Sequence, residues 1–362
     1  MARKNIKGSL FARKQVLKMA KNADLSNAKN AKKDEFYTQL EDINAEMVHY
    51  EEQFRDKIIF MNCDDPTWSN FWRYFHIEFE RLGLKKIIAT HYEYSEVPSY
   101  KMEYEGGNDE DFEVGIKTEL TQNGDFRSPE CIELLKEADI IITNPPFSMF
   151  REYIALLMEY NKKFIIIGNV NALTYKEVFP LIKENKVWFG ASIHSGDRKF
   201  YVPDDYPLNA SGCGTDPDGR KFIRVKGVRW YTNMDYKARH TDIETAYLYS
   251  KKDQLYPDLY PKYDNYDGIN IDKTSEIPMD YNGIMGVPIT FLDKYNPEQF
   301  TILELSRYLK HEGMSKEFVE EYYRQGNKGS IHEGHPDLCY YTNDGKTVVP
   351  YMRILIKRKA GK

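Results

Sequence analysis

The stretch Asn144-Pro145-Pro146-Phe147 combines groups that could handle a planar amine. The Asn144 side-chain oxygen can accept a hydrogen bond, and so can the carbonyl of Pro145, a residue with no N–H of its own. Phe147 adds a flat ring on which a planar group could stack. Two acceptors beside a stacking ring suit a substrate that carries an exocyclic NH2 group. The alternative is a rigid turn between a strand and a helix, without chemistry.

The flanking sequence predicts where these residues lie. Short apolar runs alternate with amphipathic helical patterns from about residue 56 to residue 190, which is typical of a parallel sheet covered on both faces. The predicted buried strands are 57–62, 85–90, 139–144 and 163–170. Such sheets bind ligands where the loops leave the carboxyl ends of the strands. Asn144 stands at one of these ends.

The helices between the strands have their own signals. Residues 69–84 carry apolar side chains at helical spacing, and Ser128-Pro129 predicts the start of another helix, with Ser128 as its N-cap. Residues 100–120 read as two strands joined by an acidic, glycine-containing turn.

Beyond about residue 190 the composition changes: the sequence becomes rich in Tyr, Pro, Asp, Asn and Gly, which predicts many short turns. Helix returns over 301–325, and a β-like stretch ends the chain. Residues 191–362 therefore read as a second, mixed α+β region that recognises a partner. Arg, Asn, Lys and Tyr interleave in 191–300, and Arg and Asn are side chains that can read nucleic-acid bases, although any single arginine could instead face solvent or a phosphate.

Charge is distributed unevenly along the 362 residues. The net charge is −5 at pH 7, but residues 1–33 carry +9 and residues 345–362 carry +6, leaving −20 for 34–344. Basic ends could contact phosphates, or they could simply be solvated tails. The four cysteines are scattered, which favours a reducing cytoplasmic compartment, and no apolar run approaches the length of a membrane span.

Three motifs in order resemble the amino-group DNA methyltransferases, which transfer a methyl group from S-adenosylmethionine to adenine N6. They are "DEFYTQ" (34–39), "NGDFRSPE" (123–130) and "TNPPFSMFREY" (143–153). Longer stretches, among them "NCDDPTWSNFWRYF" and "NALTYKEVFPLIKENKVWFG", make the chain similar to the EcoRI-type adenine methyltransferase family across most of 34–300.

The resemblance implies roles for particular residues. The catalytic motif would be Asn144, Pro145, Pro146 and Phe147. The residues implied to bind the methyl donor are Phe36, Tyr37, Thr38, Asp125 and Phe126.

One loop departs from the wider methyltransferase superfamily. After the first strand that superfamily usually has glycines, whereas this chain reads "NCDDPTW" and has none. The EcoRI-type branch shares this departure. We therefore expect donor contacts from Asn62, Asp64 and Asp65, although Asp65-Pro66 could serve only as a turn.

Together these patterns predict a doubly wound, mostly parallel α/β sheet, the Rossmann-like class I methyltransferase fold. The predicted organisation is a basic arm (1–33), a catalytic domain that binds S-adenosylmethionine (34–190) and a target-recognition region (191–362). The predicted activity is site-specific N6 methylation of a flipped adenine in double-stranded DNA, as in restriction–modification systems. The protein is predicted to act as a monomer in the cytoplasm, without a membrane partner.

Alternatives remain at this point. Asn-Pro-Pro-aromatic loops also serve methylation of RNA adenine and of protein glutamine, and a DNA-binding relative could have lost turnover. Cytosine C5 chemistry is disfavoured, because it usually needs a cysteine after proline and this chain has none there. No metal is expected, since His332, His335 and Cys339 could bind zinc by spacing but have no apparent fourth ligand.

Overall fold

Residues 36–63, 65–93, 98–202, 204, 206–208 and 212–361 are described by the computed structural model. They form two compact units that interleave along the chain. Unit 1 comprises the chain up to Tyr175 together with Ser192–Met234, and unit 2 comprises Lys176–Ala191 and Asp235–Lys362. The basic arm predicted for residues 1–33 lies outside the described residues.

Strands and helices alternate through unit 1 and recur more sparsely in unit 2. The strands are β1 Ile58–Met61, β2 Lys86–Thr90, β3 Tyr100–Tyr104, β4 Ile116–Glu119, β5 Ile140–Thr143, β6 Lys163–Asn169, β7 Trp188–Phe189, β8 Asp197–Tyr201, β9 Gly214–Thr215, β10 Lys221–Lys226, β11 Val228–Thr232, β12 Ile269–Asn270, β13 Met285–Pro288, β14 Phe300–Leu305, β15 Tyr340–Tyr341, β16 Thr347–Val348 and β17 Arg353–Arg358. The α-helices are α1 Leu40–Met47, α2 Asn70–Ile77, α3 Phe79–Leu82, α4 Pro129–Glu137, α5 Phe150–Glu159, α6 Phe179–Lys183, α7 Lys252–Leu255 and α8 Lys316–Arg324.

The main sheet of unit 1 has the order β4-β3-β2-β1-β5-β6-β11. Its centre, β2-β1-β5-β6, is parallel, while β3, β4 and β11 join in antiparallel register. Every residue of β1 and β5 is buried, so both faces of the sheet are covered. The predicted doubly wound α/β fold and the four predicted strands are confirmed.

The direction of strand order reverses between β1 and β5. From β1 the chain crosses through α2 to β2 on one side, and from β5 it crosses through α5 to β6 on the other side. Because parallel crossovers are right-handed, these helices cover opposite faces. The carboxyl ends of β1 and β5 therefore flank the switch point, where such folds bind ligands.

Local signals fix the helix starts near this edge. The Ser128 hydroxyl accepts a hydrogen bond from the Cys131 backbone N–H, and Pro129 occupies the first turn of α4 as predicted. The Ser69 hydroxyl accepts bonds from the backbone N–H groups of Phe71 and Trp72 and so begins α2 directly after the loop from β1. Short helix starts of this kind hold the preceding loops in place.

Unit 1 also contains a small antiparallel sheet, β8-β10-β9. A backbone bridge attaches this sheet to the predicted donor-binding segment, because the Tyr37 N–H donates to the Tyr201 carbonyl (2.9 Å) and the Tyr201 N–H donates back (3.1 Å). Residues that follow position 190 thus help to build unit 1.

Unit 2 has a four-stranded sheet of order β12-β13-β17-β14. The prediction of helix directly after residue 301 is wrong, because Phe300–Leu305 is a strand paired antiparallel with β17. Ile302 and Leu305 are three residues apart, a spacing that fits a helix, but exposed Thr301 stands between buried Phe300 and Ile302 in the alternation of a strand. The helix predicted in the second part of 301–325 is confirmed as α8, and the predicted β-like stretch at the end of the chain is confirmed as β17.

Candidate active site

Strand β5 delivers Asn144 to the switch point. Asn144 is only 2% exposed, and its Nδ2 donates a hydrogen bond to the Phe36 carbonyl at 2.5 Å. Since the amide nitrogen is bound to this carbonyl, the side-chain oxygen on the other branch of the carboxamide points away from Phe36. The interaction thus fixes the rotamer of Asn144.

The two prolines have different roles. The Pro146 carbonyl accepts a hydrogen bond from Met149 N–H (2.9 Å) and so begins a short 3₁₀ helix, Phe147–Met149, that leads into α5. No donor in the described part of the chain binds the buried Pro145 carbonyl. Asn144 and Pro145 thus hold two acceptor groups at the end of one strand.

Phe147 is half-buried in an aromatic cluster. Its ring meets Phe36 edge to face with centroids 5.7 Å apart, and it meets Phe200 of β8 in the same way at 6.5 Å. Phe36 is almost fully buried between these rings. The cluster orients the Phe147 ring while leaving part of it accessible for stacking.

Residues 36–38 contact both the end of β5 and the start of α2. Asn144 holds the Phe36 carbonyl, and Asn70 at the start of α2 donates from Nδ2 to the Thr38 carbonyl at 2.6 Å. The Thr38 side chain is 3% exposed, and its Oγ1 has no hydrogen-bond partner in the described part of the chain. The side chain of Tyr37 faces another cavity, so the three neighbouring residues do not share one role.

Asn62 follows β1 on the other side of the switch point. It is buried, and its Oδ1 accepts a short hydrogen bond from the Tyr153 hydroxyl of α5. The Asn62 Nδ2 has no hydrogen-bond partner among the described residues. Asp64, which the sequence placed beside it, lies outside the described residues.

Asp65 is bound within its own surroundings. Its Oδ1 accepts from the Thr67 N–H (2.9 Å), the Thr67 hydroxyl (2.7 Å) and the Tyr100 hydroxyl (2.8 Å), while Oδ2 lies 3.3 Å from His91 Nδ1. Burial and the hydrogen bond to Asp65 raise the pKa of Tyr100. Asp65 therefore makes the turn that the alternative interpretation expected and also joins the loop after β1 to the end of β2.

Asp125 and Phe126 approach the same region from the loop before α4. Arg127 binds both Asp125 oxygens (2.9 and 2.7 Å) and reaches Glu152 of α5 at 3.1 Å. Phe126 is buried edge to face against Tyr153, with centroids 5.0 Å apart. Through Tyr153, Phe126 is connected to Asn62.

Tyr153, Asn70 and Phe200 were not predicted as site residues. Tyr153 appeared only as one apolar position of a helical pattern, and Phe200 only as part of an aromatic and basic stretch. The one available signal for Tyr153 is its place on the helix that directly follows the Asn-Pro-Pro-Phe motif. Its hydroxyl bond to Asn62, 91 positions away in sequence, needs the folded sheet.

The spacing of His332, His335 and Cys339, which could bind zinc but has no apparent fourth ligand, brings two imidazoles together in unit 2, with the His332 and His335 rings 5.1 Å apart. Cys339 is buried, and burial raises the pKa of its thiol to about 12. Within the described ranges no group of three or more His, Cys, Asp or Glu side chains is arranged to hold a metal ion. No helix in those ranges is long and apolar enough to cross a membrane.

Comparison with known proteins agrees with this geometry. Residues 24–359 match the family model described as "Adenine-specific methyltransferase EcoRI". The chain is 46% identical over 311 residues to the Type II methyltransferase M.EcoRI of Escherichia coli, covering 82% of this chain and 94% of that protein.

Two mycoplasma proteins are also similar. The Type II methyltransferase M.MgeORF184P of Mycoplasma genitalium is 39% identical over 282 residues (77% of this chain, 85% of that protein), and M.MpnI of Mycoplasma pneumoniae is 38% identical over 284 residues (77% and 84%). No solved structure matches the chain significantly. The family match spans nearly the whole sequence, including the sheet and the Asn-Pro-Pro-Phe loop: the chain belongs to the EcoRI family of adenine-specific DNA methyltransferases.

Proposed function

We propose that the protein transfers a methyl group from S-adenosylmethionine to the N6 nitrogen of a specific adenine in duplex DNA. Membership of the adenine-specific family supports the reaction class. The observation that carries the residue assignment is the fixed Asn144 carboxamide beside the unbound Pro145 carbonyl, with the Phe147 ring next to them.

The two acceptors match the chemistry of adenine. The N6 amino group has two N–H donors, and its lone pair is delocalised into the ring, which makes the nitrogen a poor nucleophile. Hydrogen bonds to Asn144 Oδ1 and the Pro145 carbonyl would localise the lone pair on N6 and fix its direction. Asn144 is already held by Phe36, so little reorganisation is needed when adenine enters.

The residues at the switch point fit S-adenosylmethionine, which supplies an electrophilic methyl group on its sulfonium when bound. Thr38 Oγ1 and Asn62 Nδ2 are buried without hydrogen-bond partners in the described ranges, a costly arrangement that a polar ligand would relieve. Phe36 and Phe126 are buried apolar side chains in the segments that lead into α1 and α4, respectively. We assign donor binding to these four residues, with Asp65 and Asp125 positioning the loops that carry them.

Adenine must leave the duplex stack to reach this edge, at a cost of about a few kcal/mol. Stacking on the partly accessible Phe147 ring would offset part of that cost. We assign target recognition to residues 191–362 and phosphate contacts to the basic arm 1–33. Strand β8 and its small sheet, which follow residue 190, are also part of the catalytic unit.

The function is tested by incubating the protein with labelled S-adenosylmethionine and unmethylated DNA, followed by digestion to nucleosides. Label in N6-methyladenine, much reduced in Asn144→Ala, is the expected result. Label in RNA or in protein glutamine, offered in parallel, would replace the DNA assignment. Equal, background-level incorporation by wild type and Asn144→Ala would identify a protein without turnover.

Two finer assignments accompany the function. All the residues assigned to the site belong to unit 1 of one chain, so we propose that the protein acts as a monomer, which light scattering with and without DNA would test. All four cysteines are free thiols, which supports placement in the reducing cytoplasm. Quantification of the protein in cell fractions would test that placement.

A further inference from the structure

A second cavity lies in unit 1 behind the aromatic cluster of the active site. It has a volume of about 150 Å³, and its walls include Tyr37, Tyr201, Trp68, Arg73, Arg220 and Lys221. Typical pockets for complete small-molecule ligands measure roughly 300–1,000 Å³. This cavity is therefore sized for a smaller group than the methyl donor, and it is rich in cations and aromatic rings.

The bridge between Tyr37 and Tyr201 separates this cavity from the catalytic cluster. Neighbouring residues in extended chains point to opposite sides. Phe36 and Phe200 accordingly contact each other, and both contact Phe147, while Tyr37 and Tyr201 line the second cavity. The paired backbone at Tyr37 and Tyr201 thus separates the aromatic cluster around Phe147 from the second cavity.

Two arginines in the wall are held on aromatic rings. The Arg220 guanidinium lies 4.3 Å from the centre of the Tyr201 ring, and Arg73 lies 4.6 Å from that of Phe112. Arg73 forms no ion pair within the described ranges, and its Nε has no hydrogen-bond partner there. The Arg73 guanidinium therefore keeps N–H groups available, a geometry that suits phosphate oxygens, whereas Arg220 donates from Nε to Asp216 and from Nη2 to Asp218.

The cations of the cavity differ in how far they are already paired. Arg220 is neutralised by Asp216 and Asp218, with which it forms ion pairs at 3.0 and 3.1 Å. Among the lining residues, Arg73 and Lys221 have no ion pair in the described ranges and outnumber Asp204. The Lys221 amino group donates to the carbonyls of Asp204 and Tyr206, which places its charge at the wall.

Trp68 stands at the rim, in the loop between β1 and α2, with 65% of its surface exposed. Its ring is therefore accessible for stacking. Aromatic rings beside cations are the usual arrangement for holding nucleotides.

We propose that this cavity binds one phosphate of the DNA strand that carries the target adenine, with Arg73 on that phosphate and Trp68, at the rim, against the neighbouring base. The inference rests on the proposed function and deepens it. A phosphate held on the other side of the paired backbone from Phe147 would anchor the strand while the adenine occupies the catalytic side.

The test measures binding of a fluorescein-labelled, mixed-sequence duplex by anisotropy over a range of KCl concentrations, using Arg73→Gln, Trp68→Ala and Trp68→Phe. Arg55→Gln is the matched control, since Arg55 is exposed and precedes β1 at the opposite edge of the sheet. Thermal melts establish that each variant is folded.

Arg73→Gln should lower the slope of log K against log salt by about 0.9, while Arg55→Gln keeps the wild-type slope. Trp68→Ala should weaken binding about tenfold and Trp68→Phe clearly less. Slopes and affinities equal to those of Arg55→Gln would overturn the proposal. The binding measurement does not depend on methyl transfer, so the two proposals can fail separately. If the wild-type protein forms N6-methyladenine but the variants keep the wild-type salt slope, the proposed function stands and the proposed role of the cavity is refuted.

Discussion

Removing the Tyr153 hydroxyl by Tyr153→Phe should affect stability and donor binding together. In the folded protein this hydroxyl donates to Asn62 Oδ1, and both side chains are buried. The remaining contact to Oδ1 is the Cys63 thiol at 3.7 Å, a weak donor. Leaving a buried acceptor without a strong donor costs about 1–3 kcal/mol.

For a unit of this size, each kcal/mol lowers Tm by roughly 2–4 °C. Because the lost bond also fixes the Asn62 carboxamide, we expect Asn62 Nδ2 to be poorly oriented toward S-adenosylmethionine. A penalty of about 1.4 kcal/mol there would raise the donor Kd about tenfold. Calorimetry measures the Kd, and thermal melts measure the Tm.

Tyr160→Phe is the matched control for this substitution. Tyr160 directly follows helix α5 as its C-cap, is partly exposed, and its hydroxyl makes no hydrogen bond to a described residue. Tyr160→Phe should leave both the Kd for S-adenosylmethionine and the Tm near their wild-type values. If Tyr153→Phe behaved like Tyr160→Phe, the link from α5 through Asn62 to the donor would be refuted.

Three further substitutions test other parts of the account. Phe147→Ala should raise the KM for DNA by about tenfold or more in a methylation assay, because base stacking contributes about 1–3 kcal/mol, whereas Phe147→Trp should restore much of the loss. Gly124→Ala should lower the urea midpoint much more than Gly107→Ala: both glycines have positive φ (+79° and +101°), but only at Gly124 would a Cβ lie 2.0 Å from a backbone oxygen, that of His91. The hydrogen bond to Asp235 raises the pKa of His240, with Glu298 contributing, so the stabilisation from this histidine is present below the unfolded-state pKa of about 6.5 and is lost as pH rises through the raised value. Urea titrations of wild type and His240→Gln should therefore differ most near about pH 6 and converge in alkaline solution; a constant difference would contradict the assignment.

The central sheet could be predicted because its strands carry their own signal. Runs such as Ile140–Thr143 are apolar throughout, as expected of strands buried on both faces, and the Ser128-Pro129 start of α4 is encoded locally. Strand β14 was mistaken for a helix because its partner β17 is about 50 residues away, and the pairing that stabilises it leaves no local mark.

The sequence predicts which residues form the candidate motif, but it does not predict the hydrogen bonds and ring contacts that orient them. Asn144 and Phe147 stand together in the sequence, so their types and order point to the chemistry. The bonds that orient them depend on long-range folding: Asn144 meets Phe36 across 108 positions, and Phe147 meets Phe200 of a different sheet. Trp68 and Arg73 gave no signal for the same reason, because the cavity they line forms only when Tyr37 pairs with Tyr201.

The claim that Asn144 acts on the adenine amino group is tested most directly by the single-turnover methylation rate of Asn144→Ala. Asn44→Ala, on the exposed face of α1, is the control. The account predicts a rate loss of about 100-fold or more, the usual scale for removing one oriented hydrogen-bonding group, with the Kd for S-adenosylmethionine changed little. A single-turnover rate near that of wild type and Asn44→Ala would contradict the central role of Asn144.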